Sequence, residues 1–421
     1  MVNKKKVIVI GGGFAGIQLV RKLDEALFDV LLIDKINHHQ FQPLFYQVAT
    51  SQIEPASISF PLRSIFKNRK NVQIRLANVT CIDQQQKKVM TSIGDFEYDY
   101  LVIAIGCRTN FYGNKAIREK AFSLKTTYDA ITIRNHVLNN FEDIISASEE
   151  EKPCFLNLVI VGAGPTGVEL AGAFAEIKKR VLPRDFPGID FSKLRIILVE
   201  GSKNTLSAMS EKSRRTSAKY LKQMGVELMT ETFVKDYDGE TIQFSTGETI
   251  KSRTVIWAAG VKGRLMCGID PAVVMPGNRL NVNRYSQLAG SDAVFAVGDI
   301  AYMETPKYPK GHPQLANVAI NQAKVLASNL KTIASGSGKL REFEYTDLGS
   351  MATVGTNKAL VDFPFVHFRG LVAWLIWMFL HLMLILSVRN KLIIFINWAW
   401  AYVNKDSSLR LILTSQDEKG T

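Results

Sequence analysis

Two glycine-rich segments of one design recur in this chain, and together they restrict its fold more than any other feature. The first reads Val7-Ile-Val-Ile-Gly11-Gly-Gly13-Phe14-Ala15-Gly16, and Asp34 stands at the end of the next apolar run. The second reads Leu158-Val-Ile-Val-Gly162-Ala-Gly164-Pro165-Thr166-Gly167, with Glu200 closing another apolar run. Each sets three glycines between a continuous apolar run, read as a buried parallel strand, and a following helix. The first glycine permits a tight turn, the second lets the backbone approach a pyrophosphate, and the third lets helix and strand pack closely. The helix N-terminus then offers unpaired N–H groups and a positive dipole end. One such segment is a weak signal. Two, each in a strand–turn–helix–strand setting, mean two dinucleotides, most simply a flavin and a nicotinamide.

Composition narrows the partners. With 22% charged and 47% apolar residues among 421, the chain is globular and long enough for two or three cores. Lys plus Arg exceed Asp plus Glu by 52 − 39 = 13, which suits nucleic acid, an anionic membrane surface or anionic substrates. No basic stripe with interleaved aromatics occurs, so nucleic acid is not expected. Lys4-Lys-Lys6 runs straight into the first strand, which leaves no room for a cleavable signal peptide and points to the cytoplasm. Cys81, Cys107, Cys154 and Cys267 are scattered singly and read as buried structural thiols. Without a close cysteine couple, electrons are expected to pass to something other than a disulfide. No metal site is expected.

Further along, Tyr98-Asp-Tyr-Leu-Val-Ile-Ala-Ile-Gly106 and Thr254-Val-Ile-Trp-Ala-Ala-Gly260 read as strands that close the two nucleotide-binding regions. The helix after Gly167 should run to about Leu182, before Pro183. Val294-Phe-Ala-Val-Gly298-Asp299 puts an acid at a strand's carboxyl end, the edge where ligands bind in open α/β sheets. A helix is expected from Ala316 to Lys331. From Gly370 to Val388 the only ionisable group is His381, and Arg369 and Arg389 flank the stretch. Leu392–Val403 is a second apolar stretch, and Trp374, Trp377, Trp398 and Trp400 all fall in this region. Tryptophan bracketed by Arg and Lys suits a membrane interface. As a single helix the first stretch would measure about 28 Å, close to a bilayer core, whereas the second is too short to span. An in-plane hairpin is therefore expected, with a spanning helix and a core or dimer-forming helix pair as the other readings.

These features together resemble the type II NADH:quinone oxidoreductases. The most specific are Asn37-His-His-Gln-Phe-Gln-Pro-Leu-Phe-Tyr46-Gln-Val-Ala-Thr50, Val161-Gly-Ala-Gly-Pro-Thr-Gly-Val-Glu169-Leu-Ala-Gly172 and Trp374-Leu-Ile-Trp377-Met-Phe-Leu-His381. The resemblance implies an α/β fold of two Rossmann-like doubly wound nucleotide-binding domains, the FAD domain interrupted by the NADH domain. A C-terminal helical membrane-attachment segment would complete it. The expected boundaries are 1–150 and 285–362 for the FAD domain, 151–284 for the NADH domain and 363–421 for the attachment segment. FAD would be held by Gly11, Gly13, Phe14, Ala15, Gly16, Asp34, Lys35, Val79, Gly106, Asp299, Ala316 and Asn317. NADH would be held by Gly162, Gly164, Pro165, Thr166, Gly167, Glu200 and Gly260.

A quinone would meet Asn317, Gln322, Trp374, Trp377 and His381. Asn317 stands where the family has Gln, one methylene longer, which puts its quinone contact in doubt. Glu169 matches a carboxylate linked in the family to NADH binding or proton uptake, although an acid on the first helical turn would also favour the dipole. His381 also reads as a hydrogen-bonded packing residue. The implied activity is hydride transfer from NADH to FAD, then two-electron reduction of a membrane quinone without proton pumping. It would occur at the cytoplasmic face of the inner membrane, on the lipid surface. By resemblance alone, the chain would form a homodimer through the C-terminal region. The alternative is a soluble or peripheral NADH-dependent reductase of a protein electron carrier.

Overall fold

The computed structural model describes residues 4–405 and 409–413; of the attachment segment expected over 363–421, residues 406–408 and 414–421 lie outside the described residues. The chain forms two compact units. The first comprises Met1–Gln40, Phe60–Arg108 and Val261–Thr346, and the second Phe41–Ser59, Thr109–Gly260 and Asp347–Thr421. Packing thus divides the stretch expected as one piece over 1–150, because 41–59 and 109–150 fold with the second glycine segment.

In the first unit a five-stranded parallel sheet has Lys5–Ile10 at its centre, flanked by Phe28–Asp34 and Tyr100–Ile103, with Val72–Leu76 and Val294–Ala296 at the edges. Its central strand is buried on both faces, which is why it reads as an unbroken Val/Ile run. Phe14–Lys22 is the helix that leaves the first glycine turn, and it packs against the long helix Ala316–Ser335.

The second unit repeats this plan around Asn157–Val161, between Arg195–Val199 and Thr254–Trp257. Its glycine turn feeds the helix Pro165–Arg180, and a separate turn of helix, Leu182–Asp185, follows. Pro183 lies in that separate turn, so the expected helix end holds to within two residues. A three-stranded antiparallel sheet, Ser350–Gly355, Lys358–Asp362 and His367–Gly370, leads into the C-terminal helices Leu371–Leu384 and Val388–Asn404.

Two expectations need correction. The apolar stretch Gly370–Val388 is not one helix. Ile385 leaves helical geometry at ψ 132° and is buried, Ser387 is extended, and a new helix starts at Val388. Asn390 then anchors that helix to the carbonyls of Ala56 and Ser57 at 3.1 and 2.9 Å. Burial of Ile385 and the Asn390 anchor set the break, and neither shows in hydropathy. The first helix, of 14 residues, measures about 21 Å, and no helix among the described residues is long and apolar enough to cross a membrane.

The cysteines are not all single either. Cys81 and Cys267, 186 residues apart in sequence, form a disulfide, and Cys107 and Cys154 are half-buried thiols outside it. The Ile82 N–H donates to the Cys267 carbonyl at 3.0 Å, and a Cβ at Gly268 would lie 1.7 Å from Ile82 O. Only that close approach of distant segments pairs the sulfurs.

Candidate functional site

The two glycine turns are built alike. Gly11 has φ +107° and Gly162 +102°, a region that favours glycine. A Cβ on Gly16 would lie 1.8 Å from Gly11 O, and one on Gly167 1.9 Å from Gly162 O. Gly13 and Gly164 differ from these: a Cβ there would meet nothing within 4 Å, so both face open space. Neither helix has a side chain capping its first turn, which leaves backbone N–H groups turned toward that space. Asp34 Oδ2 accepts from Gly12 N–H at 2.5 Å and Oδ1 from Ile36 N–H at 3.0 Å. Glu200 repeats the pattern, accepting from Ala163 N–H at 2.7 Å and Ser202 N–H at 2.8 Å. Each carboxylate braces its turn and keeps further lone pairs for a ribose hydroxyl. The residues present fit two dinucleotides.

Other singled-out residues of the first unit are distributed around its sheet. Phe14 meets the buried ring of His39 edge-on at 5.0 Å. Lys35 follows Asp34, Val79 opens the strand Val79–Asp83, and Gly106 has φ +64°. Asp299 sits in a tight turn whose Gly298 N–H donates to Gln322 Oε1 at 2.8 Å, so the buried Gln322 amide braces that turn. Ala316 and Asn317 open their helix without a capping side chain. Arg279 and Gln314 carry no sequence signal for this site, and Cys107 reads there only as a structural thiol. Gln314 donates to the Asp299 carbonyl at 3.1 Å and to Cys107 Sγ at 2.9 Å, and Arg279 donates to the His312 carbonyl at 3.1 Å. In the second unit, Gly260 has φ +77°, and a Cβ there would meet Tyr112 Oη at 2.5 Å.

The second unit also contains a cavity of about 100 Å³, lined by Glu169, Trp374, Trp377, Trp398, Tyr46 and Tyr402 among others. Glu169 lies past the first turn of its helix, which carries no acidic residue, so the dipole does not account for it. The carboxyl is buried, and Oε1 accepts from Thr353 N–H at 3.2 Å. Burial pushes its pKa up to about 8, against the opposing pull of the Thr353 N–H and the nearby Trp377 indole. At neutral pH it is mostly a carboxylic acid. The Trp377 side chain is buried, and its Nε1–H has no hydrogen-bond partner among the described residues.

Trp398 Nε1 donates to Gln47 Oε1 at 2.8 Å, and Gln47 Nε2 donates to Tyr46 Oη at 2.9 Å, a chain that fixes one wall. Burial and the Glu169 charge hold the Tyr46 phenol well above its ordinary range. Trp374 stacks on Tyr402 with ring centroids 5.5 Å apart. His381 stacks on Trp377 at 4.1 Å, and its Nδ1 is 2.8 Å from Trp377 O. Burial lowers its pKa to about 4, so it is a neutral packing residue at physiological pH. Three of the singled-out residues, Glu169, Trp374 and Trp377, therefore share one cavity, with His381 behind Trp377. Tyr46, Gln47 and Trp398 line it too. Tyr46 lies in the polar-aromatic run and Trp398 in the tryptophan cluster, but nothing local paired Trp398 with Gln47.

Two parallel sheets, each with an uncapped glycine turn and a carboxylate closing the next strand, have the architecture of a two-dinucleotide α/β oxidoreductase. Residues 5–323 match the pyridine nucleotide-disulphide oxidoreductase family, and residues 348–406 match the NDH2 C-terminal domain. The chain is 35% identical to a type II NADH:quinone oxidoreductase of Mycobacterium tuberculosis, over 99% of this chain and 91% of that one. It is 29% identical to a type II NADH:quinone oxidoreductase of Staphylococcus aureus, over 84% and 89% of the two chains. It therefore belongs to the type II NADH:quinone oxidoreductases. In fold it is similar to Plasmodium falciparum NDH2, solved with NADH, at TM-score 0.90 and 20% identity over 98% and 100% of the chains. It also resembles in fold the sulfide:quinone oxidoreductase of Aquifex aeolicus, at TM-score 0.73 and 20% identity over 96% of each chain.

Proposed function

We propose that the chain oxidises NADH and reduces a membrane quinone, with the aromatic cavity around Glu169 as the quinone site. The observation that carries this reading is a neutral carboxylic acid and the Trp377 indole N–H buried together in one aromatic-walled cavity. A planar quinone suits such walls, and its carbonyl oxygens suit those two donors. FAD, held at the first glycine turn by the uncapped helix N-terminus and Asp34, supplies the two-electron relay between the substrates.

The chain's own groups do the rest. The second glycine turn and Glu200 hold NADH, and no arginine immediately follows Glu200 to welcome a 2′-phosphate. Reduction of a quinone to a quinol takes two electrons and two protons; the hydride of NADH accounts for both electrons and one proton, so one further proton is needed. Glu169 holds that proton on its carboxyl and delivers it to a quinone oxygen. The Trp377 N–H orients the quinone from the same wall. Gln322 serves the Asp299 turn, so its part at a quinone is indirect.

The cavity's lining helices also carry exposed Leu375, Phe379, Phe395, Ile396 and Trp400. So large an apolar face, with Arg389 and Lys391 beside it, fits the headgroup boundary of a bilayer at the cytoplasmic face. A second copy of the chain is the competing occupant of that face.

Anaerobic mixing with NADH, and then with quinone-loaded vesicles, tests the reading through the flavin absorbance. Bleaching by NADH followed by recovery on the vesicles is the expected result. Bleaching without recovery would move the acceptor to a protein carrier. Vesicle flotation beside light scattering separates lipid from a second copy as the cover of the apolar face.

A further inference from the structure

A second cavity in the same unit belongs to neither the nucleotide turns nor the quinone site. It encloses about 20 Å³ and is lined by Ser51, Arg134, Phe141, Phe174, Asp185 and Arg410 among others. Space of that size holds a single water-sized occupant. Arg134, on the helix Thr127–Asp143, is 1% exposed, and neither its Nε nor its Nη2 has a hydrogen-bond partner among the described residues. A guanidinium stays charged at any accessible pH, so leaving it buried and unpaired is costly.

The acid in the cavity wall does not relieve it. Asp185 is held by Arg410, whose Nε lies 2.5 Å from Oδ2 and whose Nη2 donates to Oδ1 at 3.2 Å. Asp185 is thus engaged by Arg410, and no acidic side chain lining the cavity pairs with Arg134 among the described residues. Glu54 exerts a favourable field on Arg134 without forming an ion pair with it among the described residues. The neighbouring Asn135 clamps the segment that carries Arg410, donating to Leu413 O at 2.9 Å and accepting from Leu413 N–H at 3.2 Å. The wall is therefore held in place rather than free to collapse onto the charge.

We propose that this cavity binds one small monovalent anion of halide size, with Arg134 as its counter-charge. Size excludes larger anions.

The test uses the full FAD-loaded chain in sodium isethionate, whose anion is too large for the cavity. Chloride replaces isethionate at constant ionic strength while the melting temperature is followed. The expected result is a rise with the logarithm of chloride above a midpoint, reaching about 3 °C at a hundredfold excess. In Arg134→Met the rise should vanish. No rise in the parent chain, or the same rise in Arg134→Met, overturns the proposal. Should that variant fail to fold, Arg410→Gln decides. It frees Asp185 to compete for Arg134 and should raise the chloride midpoint at least about fivefold. An unchanged midpoint in Arg410→Gln overturns the site.

Discussion

The helix that leaves the first glycine turn stops after nine residues, whereas the one that leaves the second runs for sixteen. Up to their first turns the two are equivalent: the same positive φ, the same sub-2 Å approach at the third glycine, the same doubly bonded carboxylate. Beyond that they diverge. The longer helix carries Glu169 and Glu176, which accept from the Thr353 and Thr356 N–H groups of the C-terminal sheet at 3.2 and 2.7 Å. It also carries Gly172, where a Cβ would lie 1.6 Å from Val354 O. In the proposed function the first helix holds FAD alone, whereas the second would hold NADH at its N-terminus and wall the proposed quinone cavity with its middle. One motif thus serves two ends when its helix is long enough to reach another sheet.

The comparison can be broken most directly at the third glycines. Gly16→Ala should purify without flavin. Gly167→Ala should keep its flavin and lose bleaching by NADH at least about a hundredfold, because a Cβ forces helix and turn apart. Flavin content and anaerobic bleaching rates check both. The same defect in the two variants would mean that the turns do not hold different nucleotides.

A smaller and more selective effect is expected at Glu169→Gln. Reoxidation by quinone should slow on the order of a hundredfold, while bleaching by NADH changes little. The pH dependence of stability supplies an independent readout. The folded-state pKa of about 8 lies above the ordinary 4.5, so the folded chain binds the proton more tightly than the unfolded one. The stability linked to that proton is complete below 4.5 and is lost as pH rises through 8. Denaturant melts should show Glu169→Gln gaining on the parent by a few kcal/mol between about pH 5 and 8. Parallel pH profiles for the two proteins would place the charged form in the cavity and remove the proton from the mechanism.

The least effect is expected at His381→Gln. Its imidazole is neutral above about pH 4 and is packed on Trp377. Quinone turnover should change less than about threefold, with an unaltered pH profile between 6 and 8. An altered profile there would make His381 a proton donor and divide the role given to Glu169.

Both nucleotide turns were legible in the sequence, because glycine spacing, an apolar strand and a terminal acid are all local. The strand Val294–Ala296 and the helix from Ala316 were legible for the same reason. Where the C-terminal stretch divides was not, since hydropathy runs unbroken through Ile385 and the anchor that starts the next helix lies 333 residues away at Ser57. The cavity was legible only as a collection of residue types. Trp377 and Glu169 stood out singly, but the Trp398–Gln47 hydrogen bond joins positions 351 apart. The acid's protonation follows from burial under a sheet 184 residues downstream. The disulfide between Cys81 and Cys267 belongs with these. By itself, then, the sequence determined that the chain holds two dinucleotides, because short-range steric and dipolar demands write that function into consecutive residues. Which carboxyl stays protonated, which cysteines pair and where the apolar C-terminal stretch turns were decided by tertiary structure, because burial and approach depend on segments the chain brings together only on folding.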